Sequence, residues 1–243
     1  MKKELKRQIK EDELVTGMGQ AMTWATQHRE TLRLGGLVAL VVIAALLAFS
    51  WFRSSRAGES EAAFAEALQT FHAQVTTEAP PPGQPPPAST FATSQEKYTK
   101  AVGQFDGVAS RWGSLPAGQR ARFYAALCRL ELGQNDAARQ ALTELAGTRD
   151  QGLAGQARLA LAQAQARAGQ FDAAVDGLRK LADEPPALVP RDVILMTLAA
   201  TLEDAKRAEE ARGAYERVAL EHPESGFAAE ARRRADYLKR QAS

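Results

Sequence analysis

The stretch "GQNDAARQAL", Gly133 to Leu142, returns 36 positions later as "GQFDAAVDGL", Gly169 to Leu178. With Ala138 as reference, the same frame recurs at Ala101, Ala174 and Ala211, so the periods are 37, 36 and 37 residues. Four residues beyond each alanine stand Phe105, Leu142, Leu178 and Tyr215; seven beyond stand Val108, Leu145, Leu181 and Val218. Spacings of four and seven place all three residues of a unit on one helical face. The small residue lets a neighbouring helix approach, and the two larger ones fill the groove between them. From about Phe91 onward the chain reads as short helices in pairs, with no alternating strand pattern of any length. The expectation is an all-α solenoid of helix pairs.

The frame resembles the tetratricopeptide repeat, a helix-turn-helix unit with small residues at its eighth and twentieth positions and a large one at its twenty-fourth. The eighth position is Ala126, Ala162 and Ala199, the turn glycine appears as Gly133 and Gly169, and proline closes two units at Pro186 and Pro223. The resemblance covers residues 91 to 240. It departs from the pattern at the tryptophan position, which holds Arg122, Arg158 and Leu195, at the twenty-seventh position, which holds Leu or Val, and in the last turn, where Lys206 replaces glycine. The first unit lacks a helix immediately before Ala101, and residues 60 to 76 are the candidate to supply it.

Outward from the repeats, "LGGLVALVVIAALLAFSWF", Leu34 to Phe52, carries no charge between Arg33 and Arg53. At about 1.5 Å per residue it is roughly 28 Å long as a helix, enough to span a bilayer. Ser55 and Ala57 suggest a signal-peptidase site, but the long leader, the long apolar run and the absence of a lipobox cysteine favour an uncleaved anchor. Lys2, Lys3, Lys6, Arg7, Lys10, Arg29 and Arg33 precede the span, while only Arg53 and Arg56 follow it before Lys97. That asymmetry puts the N-terminus in the cytoplasm and the repeats across the membrane. The predicted domains are a basic amphipathic tail (1–33), a transmembrane helix (34–52), a juxtamembrane helix with a proline-rich connector (53–90), and the repeat domain with its capping helix (91–243).

In the tail, Leu5, Ile9, Leu14, Met18 and Met22 fall at helical spacings suited to a lipid surface or a partner. Ser60 is the expected N-cap of the juxtamembrane helix, with Phe64, Ala67, Leu68 and Phe71 on one stripe. "APPPGQPPPAS" supports neither helix nor ladder and reads as a spacer. The last helix, after Pro223, should turn Phe227, Ala231 and Leu238 inward and its arginines outward, as a terminal cap requires.

Composition excludes several functions. The formal charge of +2 gives no case for nucleic acid. A single cysteine, Cys128, allows no intrachain disulfide and no cysteine-based metal site. His28, His72 and His222 lie on separate segments, and no motif for nucleophilic, metallopeptidase or phosphate chemistry occurs. The acidic pairs Asp183 with Glu184 and Glu209 with Glu210 read as solvated charge at helix turns. Neither catalytic residue, metal, cofactor nor small-molecule substrate is expected.

The tetratricopeptide resemblance implies a partner-binding groove formed mainly by the first helix of each unit, which places Phe123, Leu127, Leu159, Gln163, Arg167 and Met196 near it. The arrangement of "KKELKRQIKEDEL", the anchor, "SEAAFAEAL" and "EKYTKAVGQFDGV" is similar to a family of bacterial inner-membrane proteins that includes the ancillary subunit of the Sec translocon. That resemblance implies a periplasmic domain that associates with the translocon and with a membrane-anchored peptidyl-prolyl isomerase chaperone. The competing expectation is a structural scaffold of an envelope machine, such as a motility or cell-wall complex.

Overall fold

The computed structural model describes residues 29–76, 90–184 and 189–241. The tail through residue 28, the proline-rich run and Pro186 lie outside the described residues. Nine helices are present among them: α1 (Arg29–His72), α2 (Ser94–Trp112), α3 (Pro116–Glu131), α4 (Asn135–Ala146), α5 (Gln151–Arg167), α6 (Phe171–Asp183), α7 (Arg191–Asp204), α8 (Ala208–Glu221) and α9 (Ala228–Gln241). Two short strands, β1 (Gln74–Val75) and β2 (Thr90–Phe91), pair in parallel. The chain divides into two compact units, residues 1–56 and 57–243.

In the first unit, α1 is the helix that is long and apolar enough to cross a membrane, among the described residues. Leu46, Leu47, Phe49 and Trp51 are between 63% and 75% exposed, so this apolar surface is not spent on a protein core.

The second unit opens with the C-terminal part of α1, which passes through Ser60 instead of starting there. The Ser60 hydroxyl donates to the Ala57 carbonyl at 2.8 Å inside the helix. Nothing around it breaks a helix, since the nearby Gly58 is tolerated at modest cost. Phe64 and Ala67 pack with Ala101, Phe105, Val108 and Cys128 in one apolar cluster. Its aromatic rings interlock: Phe64 to Tyr124 at 5.6 Å, Phe105 stacked on Tyr124 at 5.4 Å and Phe71 edge-on to Tyr98 at 6.0 Å.

From α2 to α9 each helix packs chiefly on its neighbours in sequence. A second apolar cluster joins α3, α4 and α5, and a third runs from α5 to α9, so adjacent clusters share helices. That sharing is how a solenoid closes its core without long-range pairings. The frame residues are buried throughout: Ala101, Phe105, Ala126, Ala138, Leu142, Ala174, Leu178, Ala199 and Ala211 fully, and Ala162 and Tyr215 nearly so.

Gly133 and Gly169 contribute turns, not packing. Both have positive φ, 73° and 75°. At the first turn the Gly133 N–H donates to the Leu130 carbonyl and the Gln134 N–H to the Arg129 carbonyl, the paired bonds that close a helix through a left-handed residue. Gly169 with Gln170 repeats the pattern, and so does Lys206 with Arg207, where lysine takes φ 63°. The third repeat thus keeps the geometry without the glycine that makes it easy.

Arg158, at the tryptophan position, has its own employment. Its Nε donates to the Ala146 carbonyl at 3.3 Å, satisfying the end of α4, and its Nη1 reaches the Glu184 carboxylate at 2.5 and 2.8 Å. At the far end Ala231 and Leu238 face inward as expected, but Phe227 is 42% exposed. It precedes the first residue of α9, in the turn set by the Ser225 and Ala228 N–H bonds, and so does not share the buried face of the helix.

Candidate functional site

Helices α3, α5 and α7 are the first helices of successive units. Their equivalent positions form columns across the repeats: Phe123, Leu159 and Met196 in one, Leu127, Gln163 and Ala200 in another, and Glu131, Arg167 and Asp204 in a third. The third column is joined directly, since Arg167 Nη1 lies 3.2 Å from Glu131 Oε1. Both side chains are largely exposed, so the pair contributes at most about 1 kcal/mol and serves mainly to mark neighbouring positions on the surface.

The six residues assigned to this face divide by burial. Gln163 and Arg167 are exposed. Leu127, Leu159 and Met196 are partly buried, each leaning on an apolar cluster while keeping some surface open. Phe123 is 8% exposed and belongs to the α3–α4–α5 core, with its ring 5.6 Å from that of Tyr124. It is therefore a core residue that backs the face and does not line it. Leu130, partly buried beside Leu127, and Glu131 extend the face. The 36-residue offset and opposite charges of Glu131 and Arg167 were the sequence signal for that pair.

A family described as a tetratricopeptide repeat-like domain matches residues 22–226. The chain belongs to that family. The match takes in the apolar helix as well as the repeats. Among solved structures, a Podosopora anserina chain described as a kinesin light chain of nearly identical TPR-like repeats aligns at a TM-score of 0.49 and 16% identity, over 60% of this chain and 80% of that one. MamA of AMB-1 aligns at 0.45 and 18% identity, over 60% of this chain and 74% of that one. The curated proteins give no match.

Tetratricopeptide repeat-like domains are protein-interaction modules. Burial pushes the Cys128 thiol up to about 12, which leaves it an unreactive core residue. Burial and its hydrogen bond to Glu203 at 3.0 Å likewise push the Tyr215 hydroxyl upward, and Arg234 reaches the same carboxylate at 3.2 Å. That network ties α7, α8 and α9 together. No group of three or more metal-ligating side chains occurs among the described residues.

Proposed function

We propose that this protein is a non-catalytic, single-pass membrane-anchored interaction module of the bacterial inner membrane, with its repeats in the periplasm. It assists proteins emerging beside the Sec translocon, together with a membrane-anchored peptidyl-prolyl isomerase chaperone. The observation that carries this reading is the face of Leu127, Leu159 and Met196, apolar and partly open, edged by exposed Gln163 and Arg167. Such a strip accepts an extended or helical partner segment through apolar contact, with polar groups at its margin fixing direction. The long apolar helix supports an anchor, and the excess of lysine and arginine ahead of it supports a cytoplasmic N-terminus.

The test is in-cell crosslinking of the full-length protein, followed by gentle solubilisation and identification of what accompanies it. Translocon subunits with an isomerase are the expected result. A fixed set of motility or cell-wall components in their place would assign the protein to an envelope scaffold. Arg167→Glu, at an exposed position, should lower partner recovery several-fold without lowering the amount of folded protein.

A further inference from the structure

Two clefts open at equivalent places in successive repeats. The first, about 240 Å³, lies among α2, α3 and α4; the second, about 450 Å³, lies between α5 and α6. An offset of 36 residues converts Arg122, Glu144 and Thr148 of the first into Arg158, Lys180 and Glu184 of the second. The repeat thus supplies an internal comparison.

In the second cleft Arg158 is satisfied by the Glu184 carboxylate at 2.5 and 2.8 Å. In the first, threonine stands where that carboxylate would be, and the Thr148 hydroxyl donates to Gln119 Oε1 at 3.3 Å. Arg122 itself is exposed. Its guanidinium lies against the end of α2, so near Gly113 that a Cβ there would stand 2.8 Å from Nη2. Among the described residues Arg122 has no carboxylate partner. The cleft's other cation, Arg129, is committed to Asp106 at 2.6 Å, and Glu144 on the facing helix accepts from the Gln140 amide at 3.5 Å.

We propose that the α2–α3–α4 cleft binds an acidic side chain of a partner protein, whose carboxylate takes at Arg122 the place that Glu184 takes at Arg158. A planar guanidinium at a cleft wall, without an internal carboxylate partner, recognises a carboxylate through two parallel N–H bonds. Glu144 opposite favours a segment that carries a hydrogen-bond donor beside its acidic residue. This site is separate from the first-helix face and does not depend on that face's role.

The full chain in detergent is titrated with the labelled, capped peptide Ala-Ser-Glu-Ser-Ala, its Gln counterpart, and the Gln counterpart with a free C-terminal carboxylate, read by fluorescence anisotropy. The Glu peptide should bind about three- to tenfold more tightly than the capped Gln peptide. Thr148→Glu, which gives Arg122 an internal partner, should abolish that preference and raise the melting temperature, while Arg122→Gln should abolish it alone. Arg158→Gln should leave it intact. Equal binding of the two capped peptides, or a preference that survives Thr148→Glu and Arg122→Gln, overturns the proposal. Tightest binding of the free C-terminal peptide would transfer the site to chain ends and overturn the side-chain assignment.

Discussion

The ring of Phe64 sits 5.9 Å from that of Phe105, although the proline-rich run separates their helices in sequence. Residues 57–72 of α1 therefore supply an apolar wall for α2 and α3. Phe64→Ala should cost about 3 to 5 kcal/mol, measured by urea unfolding, because it empties the centre of an aromatic cluster. A fragment starting at residue 57 should unfold in one cooperative transition, whereas one starting at residue 91 should be unfolded or aggregated. A cooperative transition in the shorter fragment would show that α1 is dispensable to the core.

Lys206 holds a left-handed conformation that two equivalent turns assign to glycine. Lys206→Gly should raise stability by about 0.5 kcal/mol, since relief of backbone strain slightly exceeds the added freedom of the unfolded chain. Gly133→Ala should lower it by about 1 kcal/mol through the same strain. Thermal unfolding of both variants reads the opposite signs directly.

Gly118 lets α3 begin against the end of α2. A Cβ at this position would lie 2.0 Å from the Trp112 carbonyl oxygen, with backbone on every near side. Gly118→Ala should therefore cost more than about 3 kcal/mol. Gly107, inside α2 with open space around its Cα, is the control. Gly107→Ala should stabilise by about 0.5 to 1 kcal/mol through helix propensity, and the pair compared in urea separates close approach from propensity.

Stability should fall at both pH extremes for nameable reasons. The Ser225 hydroxyl, donating at 2.6 Å, holds Asp192 below the usual carboxylate range, and Arg217 and Arg233 do the same for Glu221 and Glu230. A depressed carboxyl contributes stability above its unfolded pKa, about 4, and loses it as pH falls through the folded value. Asp192→Asn should thus lower stability at neutral pH and flatten the acid limb. Cys128 works in the opposite sense: its raised value drains stability as pH climbs from about 8.5 toward about 12. A thiol reagent at neutral pH should label Cys128 only at the rate of unfolding.

The packing frame was legible because it is local. Ala138, Leu142 and Leu145 lie within two turns of one helix, and three residues at helical spacing reveal a buried face without any knowledge of the neighbour. What Arg158 touches was not legible, because its partners, Ala146 and Glu184, belong to two other helix ends. The burial of Phe123 was not legible for a related reason: helices α3, α4 and α5 converge on it, and no spacing within α3 records that convergence. At Phe227 the helical period was extended one residue past the start of α9, into a turn that follows no such period.

The paired strands have a further consequence. Gln74 opposes Thr90 and Val75 opposes Phe91, with the Thr76 N–H donating to the Phe91 carbonyl at 3.0 Å, so both ends of the segment between them are clamped at one point. Closing a loop between fixed ends costs free energy that grows only with the logarithm of its length, about 0.6 kcal/mol for each doubling. The clamp therefore insulates the repeats from whatever is spliced between residues 77 and 89. A fluorescent domain or an epitope inserted there should leave the melting temperature nearly unchanged and make this segment a natural attachment point for following the protein in living cells.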